Sequence, residues 1–149
     1  MSRMNWYQVA PEGAKALLGV HHYIMKNTNL PEELIHLVFL RVSQINGCAH
    51  CIDMHGRDLR QTMSVDKVAL VPVWDEVPHL FSDQQRAALA WAEEVTRVSE
   101  THASDEAYAA ASAAFEPKDL VDLTITIAAM NAFNRLGAPF RLPVSAKAT

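Results

Sequence analysis

The sequence predicts an all-α fold. Apolar residues recur at spacings of three and four through most of the chain, which is the period of a helix with one buried face. No segment alternates apolar and polar residues between turn signals, as a half-buried strand would. A length of 149 residues is typical of one domain. We therefore expect a single helical domain over residues 1–149, with about six to seven helices.

Helix-start and helix-stop residues divide the first half of the chain. Pro11 opens a helix that ends at Asn27–Asn29, and Pro31 starts the next helix in the first turn, where the missing N–H costs nothing. Asn46-Gly47 stops that second helix. A third helix is predicted from about Cys48 to Gln61.

The second half has four helix-start signals, each a capping serine or a first-turn proline: Ser64, Ser82 with Gln85, Ser104 and Pro117. Residues 71–81 are predicted to form a loop. The last helix should end near Gly137, and the tail after Pro139 should be extended or loose.

The predicted last helix has almost no polar face. Its apolar residues are Leu120, Val121, Leu123, Ile125, Ile127, Ala128, Ala129, Met130, Ala132 and Phe133. A helix that is apolar on every side has to be buried, and a small domain has little chain with which to surround it. We therefore expect it to lie in a subunit interface. A central core helix of a monomer is the alternative.

Composition and charge exclude several classes of protein. The formal net charge is -4 and no basic cluster is present, which argues against a nucleic-acid partner. No stretch approaches the roughly 18 apolar residues of a transmembrane helix, and no secretory signal opens the chain. Two cysteines three residues apart do not make a secreted disulfide framework. We expect a cytoplasmic protein without a membrane partner.

One cluster of residues points to thiol chemistry. Cys48, Cys51 and His55 follow each other at intervals of three and four, so they share one face of a helix. The two cysteines are close enough for a disulfide across one turn, and such a short loop suits redox cycling better than stability. Cys48, at the predicted helix start, is favoured as a thiolate, whereas His55 has the right offset to exchange a proton with Cys51, so helix geometry leaves open which cysteine reacts first.

Two other interpretations of this cluster stay open. In the first, the cysteines are buried structural residues and the histidine is incidental. In the second, Cys48, Cys51 and His55 are zinc ligands and His36 or His50 is the fourth. Structural zinc sites usually join separate elements, whereas these three residues lie within two turns of one helix. We therefore expect neither a metal nor a cofactor.

The segment from Leu40 to His55 resembles the core motif of the carboxymuconolactone decarboxylase / alkylhydroperoxidase D (AhpD-like) family. Residues 81–93 are similar to the second helical block of that family. Asn131, Asn134 and Arg135 are similar to its C-terminal block. The resemblance covers most of residues 30–137, which we take as the core of the domain.

The resemblance implies an all-α fold that assembles as a symmetric homo-oligomer, often a trimer or hexamer. It also implies reduction of an organic hydroperoxide or hydrogen peroxide at the expense of a dithiol or protein-thiol reductant. By the family pattern, Cys51 attacks the peroxide, Cys48 resolves the intermediate and faces the reductant, and His55 belongs to a proton relay. The decarboxylase of the family lacks the cysteine pair, so its chemistry is not expected here.

The sequence departs from the peroxidase members at one position. They have a glutamate twelve residues before the first cysteine, and this chain has His36 there. A histidine can relay protons near neutral pH. Glu93 is the substitute carboxylate by resemblance, and Glu33 is the substitute by helix geometry. The predicted catalytic set is therefore Cys48, Cys51, His55, His36 and Glu93.

The preferred function is thiol-dependent alkylhydroperoxide reduction in antioxidant defence. A non-enzymatic redox sensor switched by the same cysteine pair is one alternative, and a small zinc-binding structural module is the other. If several of the aromatic residues lie near Cys48, they would form an apolar channel suited to organic hydroperoxides: Trp6, Tyr7, Trp74 and Trp91. His21 has no partner visible in the sequence and is expected at the surface.

Overall fold

The computed structural model describes residues 2–147, and within them the chain is helical with no strand, which confirms the predicted all-α class. The α-helices are α1 (Trp6–Val9), α2 (Pro11–Asn27), α3 (Glu32–Asn46), α4 (Ala49–Leu59), α5 (Val65–Ala69), α6 (Asp83–Thr96), α7 (Val98–Thr101), α8 (Asp105–Ala114) and α9 (Pro117–Phe140). Two 3₁₀ turns, Val71–Val73 and Pro78–Leu80, lie in the predicted loop. None of the helices in this range has both the length and the apolar character needed to cross a bilayer.

The helix boundaries follow the local signals with two shifts. The predicted capping box of Ser82 and Gln85 is present. The first shift is in α4, where Cys48 is the N-cap rather than the first helical residue. Helix α9 continues past Gly137 to Phe140 and takes Pro139 into its last turn, where a proline forgoes only one backbone hydrogen bond. The count exceeds seven because α1 and α7 are single turns.

Helix α3 is the centre of the core. It packs against α4, α6 and α9, and most of its apolar side chains are fully buried. The largest fully buried apolar side chains are Ile24, Leu37, Phe39, Leu40, Leu59, Leu89, Leu123, Ile127 and Met130. Burial on this scale stabilises the fold by about 1.5–3 kcal/mol for each large apolar side chain. The site described below lies between this central helix and α4.

The single chain covers more of its last helix than the sequence indicated. Leu123 and Ile127 of α9 are 0% exposed in the single chain, and α9 packs against α2, α3, α4 and α6. Val121, in contrast, is 57% exposed, and with Ala128 and Tyr108 it lines a groove of about 470 Å³ between α8 and α9. A homo-oligomer remains a prediction, and within α9 the residues exposed for an interface are fewer than the sequence indicated.

Helices α3 and α4 form an antiparallel hairpin that positions the predicted site. Gly47 closes it in the left-handed region, with φ of 67°, which glycine adopts without strain. The N–H of Cys48 donates to the carbonyl of Ser43 at 3.0 Å. In such a hairpin, residues equally far from the turn face each other, so His36 on α3 meets His55 and Asp58 on α4.

Candidate active site

The two cysteines lie at the start of α4 and are joined as a disulfide, with their Cα atoms 5.4 Å apart. Cys48 is fully buried, and Cys51, in the first turn of the helix, is 4% exposed. The predicted pairing is confirmed. Both sulfur atoms are near the free N–H groups of a helix N-terminus, which favours the thiolate form once the pair is reduced.

Helix α9 passes close to this disulfide at Gly137, where the backbone carries no side chain. A Cβ atom at Gly137 would lie 2.8 Å from Cys48 Sγ and 3.4 Å from Cys51 Sγ. The first distance is shorter than a carbon–sulfur contact allows, so only glycine fits at this close approach. Sequence reasoning took Gly137 as a helix end and missed this role, because the contact joins elements far apart in the chain.

Amide side chains connect the α3–α4 turn to α9. Asn46 Nδ2 donates to Asn131 Oδ1 and to Asn134 Oδ1, each at 3.0 Å. Asn134 Nδ2 in turn donates to Ser43 Oγ at 3.0 Å. Asn131 and Asn134, from the C-terminal block of the family resemblance, therefore hold the turn that precedes Cys48. A buried amide needs hydrogen-bond partners for both its oxygen and its nitrogen.

A cavity of about 180 Å³ opens beside the disulfide. Cys51 and His55 lie in its wall, and the remaining lining residues are mainly aromatic or apolar: Trp6, Tyr7, Leu18, His21, His50, Met54, Met130, Phe133 and Leu142. Trp74 and Trp91 are elsewhere, bonded to Glu93 and Thr124. The expected aromatic channel is thus formed by the N-terminal pair Trp6 and Tyr7, and its size suits a small, partly apolar molecule.

His55 connects the cavity to a polar cluster behind it. Its side chain is 2% exposed, and its Nδ1 lies 3.4 Å from Asp58 Oδ2 and 3.3 Å from His36 Nδ1. Burial lowers the pKa of His55, the hydrogen bond to Asp58 opposes that shift, and the neighbouring His36 adds to it. An ionised carboxylate only accepts hydrogen bonds, so the bond to Asp58 places the His55 proton on Nδ1.

The other ring nitrogen of His55 is then a hydrogen-bond acceptor. Nε2 is buried and has no partner among the side chains of the described residues. A disulfide offers no proton to it, whereas a thiol would. The unpaired Nε2 therefore fits the oxidised state of a thiol site, because a buried acceptor without a donor is costly.

Asp58 is a site residue that sequence reasoning missed. Its Oδ2 lies 3.5 Å from His36 Nδ1 as well as 3.4 Å from His55 Nδ1. The hydrogen bond from His55 lowers the pKa of Asp58 most, and His36 contributes further. The signal was available, since Asp58 follows His55 by three residues and shares its helix face.

The remaining predicted residues occupy two different places. His36 joins the cluster through His55 and does not line the cavity. Glu93 accepts hydrogen bonds from Arg41 Nε and Trp74 Nε1, each at 2.8 Å, and pairs with Arg97. Burial alone would raise the pKa of Glu93, but these two hydrogen bonds lower it. Within residues 2–147, the hydrogen bonds and ion pairs of Glu93 go to Arg41, Trp74 and Arg97 and not to the cysteines or His55.

Glu33, the substitute carboxylate from helix geometry, also has another partner. Its Oε1 accepts a hydrogen bond from Gln85 Nε2 at 2.9 Å, which joins α3 to the start of α6. The carboxylate that faces His36 from the same helix is Glu32, with 3.6 Å between Glu32 Oε1 and His36 Nε2.

The tail after α9 is extended, as expected, but it is not loose. The N–H of Ser145 donates to Asp53 Oδ2 at 2.7 Å, and His50 Nδ1 donates to the carbonyl of Pro143. We call residues 142–145 the C-terminal segment. It lies along the first turns of α4, and its Leu142 lines the cavity and packs near Gly137. His50 and His21 are half-buried cavity residues rather than surface histidines.

Comparison with known sequences decides the family. The profile of the Carboxymuconolactone decarboxylase family matches residues 11–94, more than half of the chain. The chain belongs to this family. An uncharacterized relative in the same size range, YdfG of Bacillus subtilis (strain 168), is 32% identical over 135 residues, which cover 90% of each chain.

Solved structures agree with this membership of the carboxymuconolactone decarboxylase family. A protein of unknown function from Agrobacterium tumefaciens, proposed to be the antioxidant defence protein AhpD, superposes with a TM-score of 0.94 at 36% identity. The match covers 99% of this chain and 100% of that one. Family membership and this likeness indicate a peroxidase-related role.

The fold alone does not decide the reaction within the family. The debrominase Bmp8 has the same fold, with a TM-score of 0.77 at 21% identity, over 91% of this chain and 73% of its own. The chemistry of this chain has to be argued from its own side chains.

Proposed function

We propose that this protein is a thiol-dependent alkylhydroperoxide reductase, with Cys51 as the attacking residue, Cys48 as the resolving residue and His55 as the base. The observation that supports it most directly is the buried Nε2 of His55, which lacks a partner in the wall of the same apolar cavity as the disulfide. A base without a proton to accept, beside an oxidised cysteine pair, is what a resting thiol peroxidase requires.

Accessibility supports this order of the cysteines. Cys51 shares the cavity with His55, whereas Cys48 is enclosed by Gly137 and is 0% exposed. A peroxide in the cavity therefore meets Cys51 first. The apolar walls would hold the alkyl group of an organic hydroperoxide, and hydrogen peroxide would also fit.

The proposed reaction has two steps. In the first, His55 Nε2 takes the proton of Cys51, the thiolate attacks the terminal peroxide oxygen, and the O–O bond breaks. The leaving alkoxide takes a proton from the imidazolium and departs as the alcohol, and Cys51 becomes a sulfenic acid. In the second, the Cys48 thiolate attacks the sulfur of Cys51 and forms the disulfide. The displaced hydroxide takes the proton that Cys48 released and leaves as water.

Asp58 and His36 would assist this proton transfer from behind the imidazole. The hydrogen bond to Asp58 fixes the Nδ1–H tautomer of His55 and stabilises the imidazolium formed during attack. His36 and Asp58 also line a polar pocket of about 290 Å³, which gives the cluster a route to solvent. The substitution of the family glutamate by His36 would thus preserve a relay.

The cycle closes when a dithiol or a protein thiol supplies two electrons and two protons to the disulfide. Such reductants are available in the cytoplasm, where we propose that the protein works. A symmetric homo-oligomer, built through the groove that contains Val121, remains part of this proposal.

The test is a peroxidase assay of the purified chain with cumene hydroperoxide or hydrogen peroxide and with dithiothreitol or a protein dithiol as reductant. We expect repeated turnover with the native chain and none with Cys51→Ser. Cys48→Ser should consume about one peroxide per chain and give a trappable sulfenic acid on Cys51. Arg57→Gln, an exposed change on the same helix, is the matched control. Turnover equal to that of the double cysteine variant would contradict the proposal.

A redox sensor is the second candidate, and the C-terminal segment favours it. This segment is bonded to His50 and Asp53, which flank the cysteines on α4, so a change at the disulfide could alter its attachment. A single oxidation event without steady turnover, accompanied by release of residues 142–145, would support that role. A zinc module built on Cys48, Cys51 and His55 needs thiolates that the disulfide form does not offer.

A further inference from the structure

Three side-chain donor atoms meet on the Nδ1 side of His55. His36 Nδ1 lies 3.3 Å from His55 Nδ1 and 3.5 Å from Asp58 Oδ2, and the last two atoms are 3.4 Å apart. Zinc binds imidazole nitrogen and carboxylate oxygen at about 2.0–2.2 Å in a tetrahedron, which places neighbouring ligand atoms about 3.3–3.5 Å apart. The three atoms already have the separations of three ligands on one ion.

The cluster is open to a cation from one side. His36 and Asp58 line the polar pocket of about 290 Å³ together with Glu32 and Glu33, and its other lining residues are uncharged. Three carboxylates therefore face this pocket without a lysine or arginine in its wall. The side chain of Asp58 is 36% exposed, so a hydrated cation can reach it, and the pocket has room for water as a fourth ligand.

The outer partners also suit a metal ligand. Glu32 Oε1 lies 3.6 Å from His36 Nε2. If His36 Nδ1 binds a metal, its remaining proton sits on Nε2 and faces this carboxylate. A carboxylate behind a ligating histidine is a common arrangement, since it fixes the tautomer and the ring orientation.

We propose that His36, His55 and Asp58 form a binding site for Zn²⁺ or a similar divalent transition metal, and that its occupancy switches off the thiol chemistry. Two imidazoles and one carboxylate, with one open position, are a ligand set that these metals accept. Mg²⁺ and Ca²⁺ prefer oxygen ligands and are not expected.

The inhibition of the thiol chemistry follows because Nδ1 and Nε2 of His55 share a single proton in the neutral imidazole. A metal on His55 Nδ1 leaves the ring proton on Nε2, and in the proposed function this nitrogen is the one that takes the proton of Cys51. Nε2 then donates a hydrogen bond and no longer accepts the proton of Cys51. This second part rests on the proposed function, whereas metal binding itself does not.

Binding is tested on the oxidised protein, in which the disulfide removes both thiols as competing ligands. The chelator-treated chain is titrated with Zn²⁺ in competition with a chromophoric chelator, and with Co²⁺ while its visible absorption is recorded. We expect one ion per chain and the intense bands of four- or five-coordinate Co²⁺. Asp58→Asn and His36→Gln should each weaken binding on the order of 10²-fold, because each removes one of only three protein ligands. His79→Gln, an exposed histidine on a 3₁₀ turn, should not change it.

Circular dichroism establishes that each variant is folded, and the near-isosteric, partly exposed Asp58→Asn decides the result if His36→Gln is not. Absence of Zn²⁺ binding to the native chain at about 100 µM, or equal binding by the native chain and Asp58→Asn, would overturn the site. Zn²⁺ inhibition of peroxide turnover that is equally strong in Asp58→Asn would place the inhibition on the thiols and overturn the switch. Site-dependent binding by a chain without peroxidase activity would uphold the site and reject the proposed function.

Discussion

Glu93 and Asp58 are two carboxylates that each lie between a pair of helices, and their different hydrogen-bond partners give them different roles. Glu93, between α3 and α6, is held by Arg41, Arg97 and the indole of Trp74. Asp58, between α3 and α4, faces the imidazoles of His36 and His55. The pKa is lowered at both, but by different causes: hydrogen bonds from an indole and a guanidinium at Glu93, and a hydrogen bond from His55 together with the nearby His36 at Asp58.

Glu93 and Asp58 differ in whether their hydrogen-bond partners can exchange a proton near neutral pH. Arginine and tryptophan keep theirs near neutral pH, so the network of Glu93 holds two helices together and moves no proton. Imidazoles gain and lose protons in that range, so the cluster around Asp58 can. A lowered pKa alone therefore does not identify a catalytic carboxylate, whereas the nature of its donors does.

The largest effect is expected when the imidazole between Asp58 and the cavity is removed. His55→Ala should lower kcat/KM for peroxide by about 10²-fold or more, because Cys51 loses its base. The pH profile of Cys51 alkylation in the reduced protein should shift to higher pH. An unchanged alkylation profile would show that His55 only fills space, since loss of packing alone would not move it.

The second prediction compares the two carboxylates directly. Asp58→Asn should lower kcat/KM by roughly 10-fold, because the amide does not stabilise the imidazolium, with a small effect on folding stability. Glu93→Gln should leave the rate within about twofold and lower the free energy of unfolding by about 1–2 kcal/mol, because two charged hydrogen bonds weaken. Steady-state rates and urea unfolding measure both quantities. The reverse pattern would return Glu93 to the catalytic set.

The third prediction replaces the histidine that stands where the peroxidases have glutamate. His36→Ala should slow turnover several-fold, and His36→Glu should restore it with an acid limb at lower pH, because carboxylates titrate about two pH units below imidazoles. Rates between pH 4.5 and 8 test this. If His36→Ala keeps both the rate and its pH profile, the relay does not pass through this residue.

The smallest effect is the pH dependence of stability. Burial lowers the pKa of His55 and of His21, so the unfolded chain binds more protons than the folded one below about pH 6.5, and stability should fall as the pH drops through that range. The depressed pKa values of Asp58 and Glu93 add a second loss below about pH 4.5. In urea unfolding, His55→Gln should flatten the first phase and Glu93→Gln the second. A stability that rises on acidification from pH 7 to 5.5 would contradict this.

Local spacing predicted what lies within one turn or one helix. The pairing of Cys48 with Cys51, the place of His55 and the cap at Ser82 all follow from intervals of three and four residues. The same interval of three residues also places Asp58 on the helix face of His55, and this residue was not predicted.

Contacts between distant segments were not predictable in this way. Gly137 against the sulfur atoms depends on how α9 crosses α4, and the covering of Ile127 depends on four other helices. Glu93 was selected by resemblance, which supplies a position in the sequence but not the neighbours that determine its chemistry.

The attachment of the C-terminal segment has a consequence for the timing of the catalytic cycle. In the proposed cycle a small oxidant would meet Cys51 in the cavity, whereas a bulky reductant would need residues 142–145 to leave α4 first, because Cys48 is fully buried. The two half-reactions would then run at unequal speeds, with oxidation fast and reduction gated. Under steady peroxide the population would accumulate as the disulfide, and the length of each pause would be set by the rate at which residues 142–145 leave α4 rather than by bond chemistry.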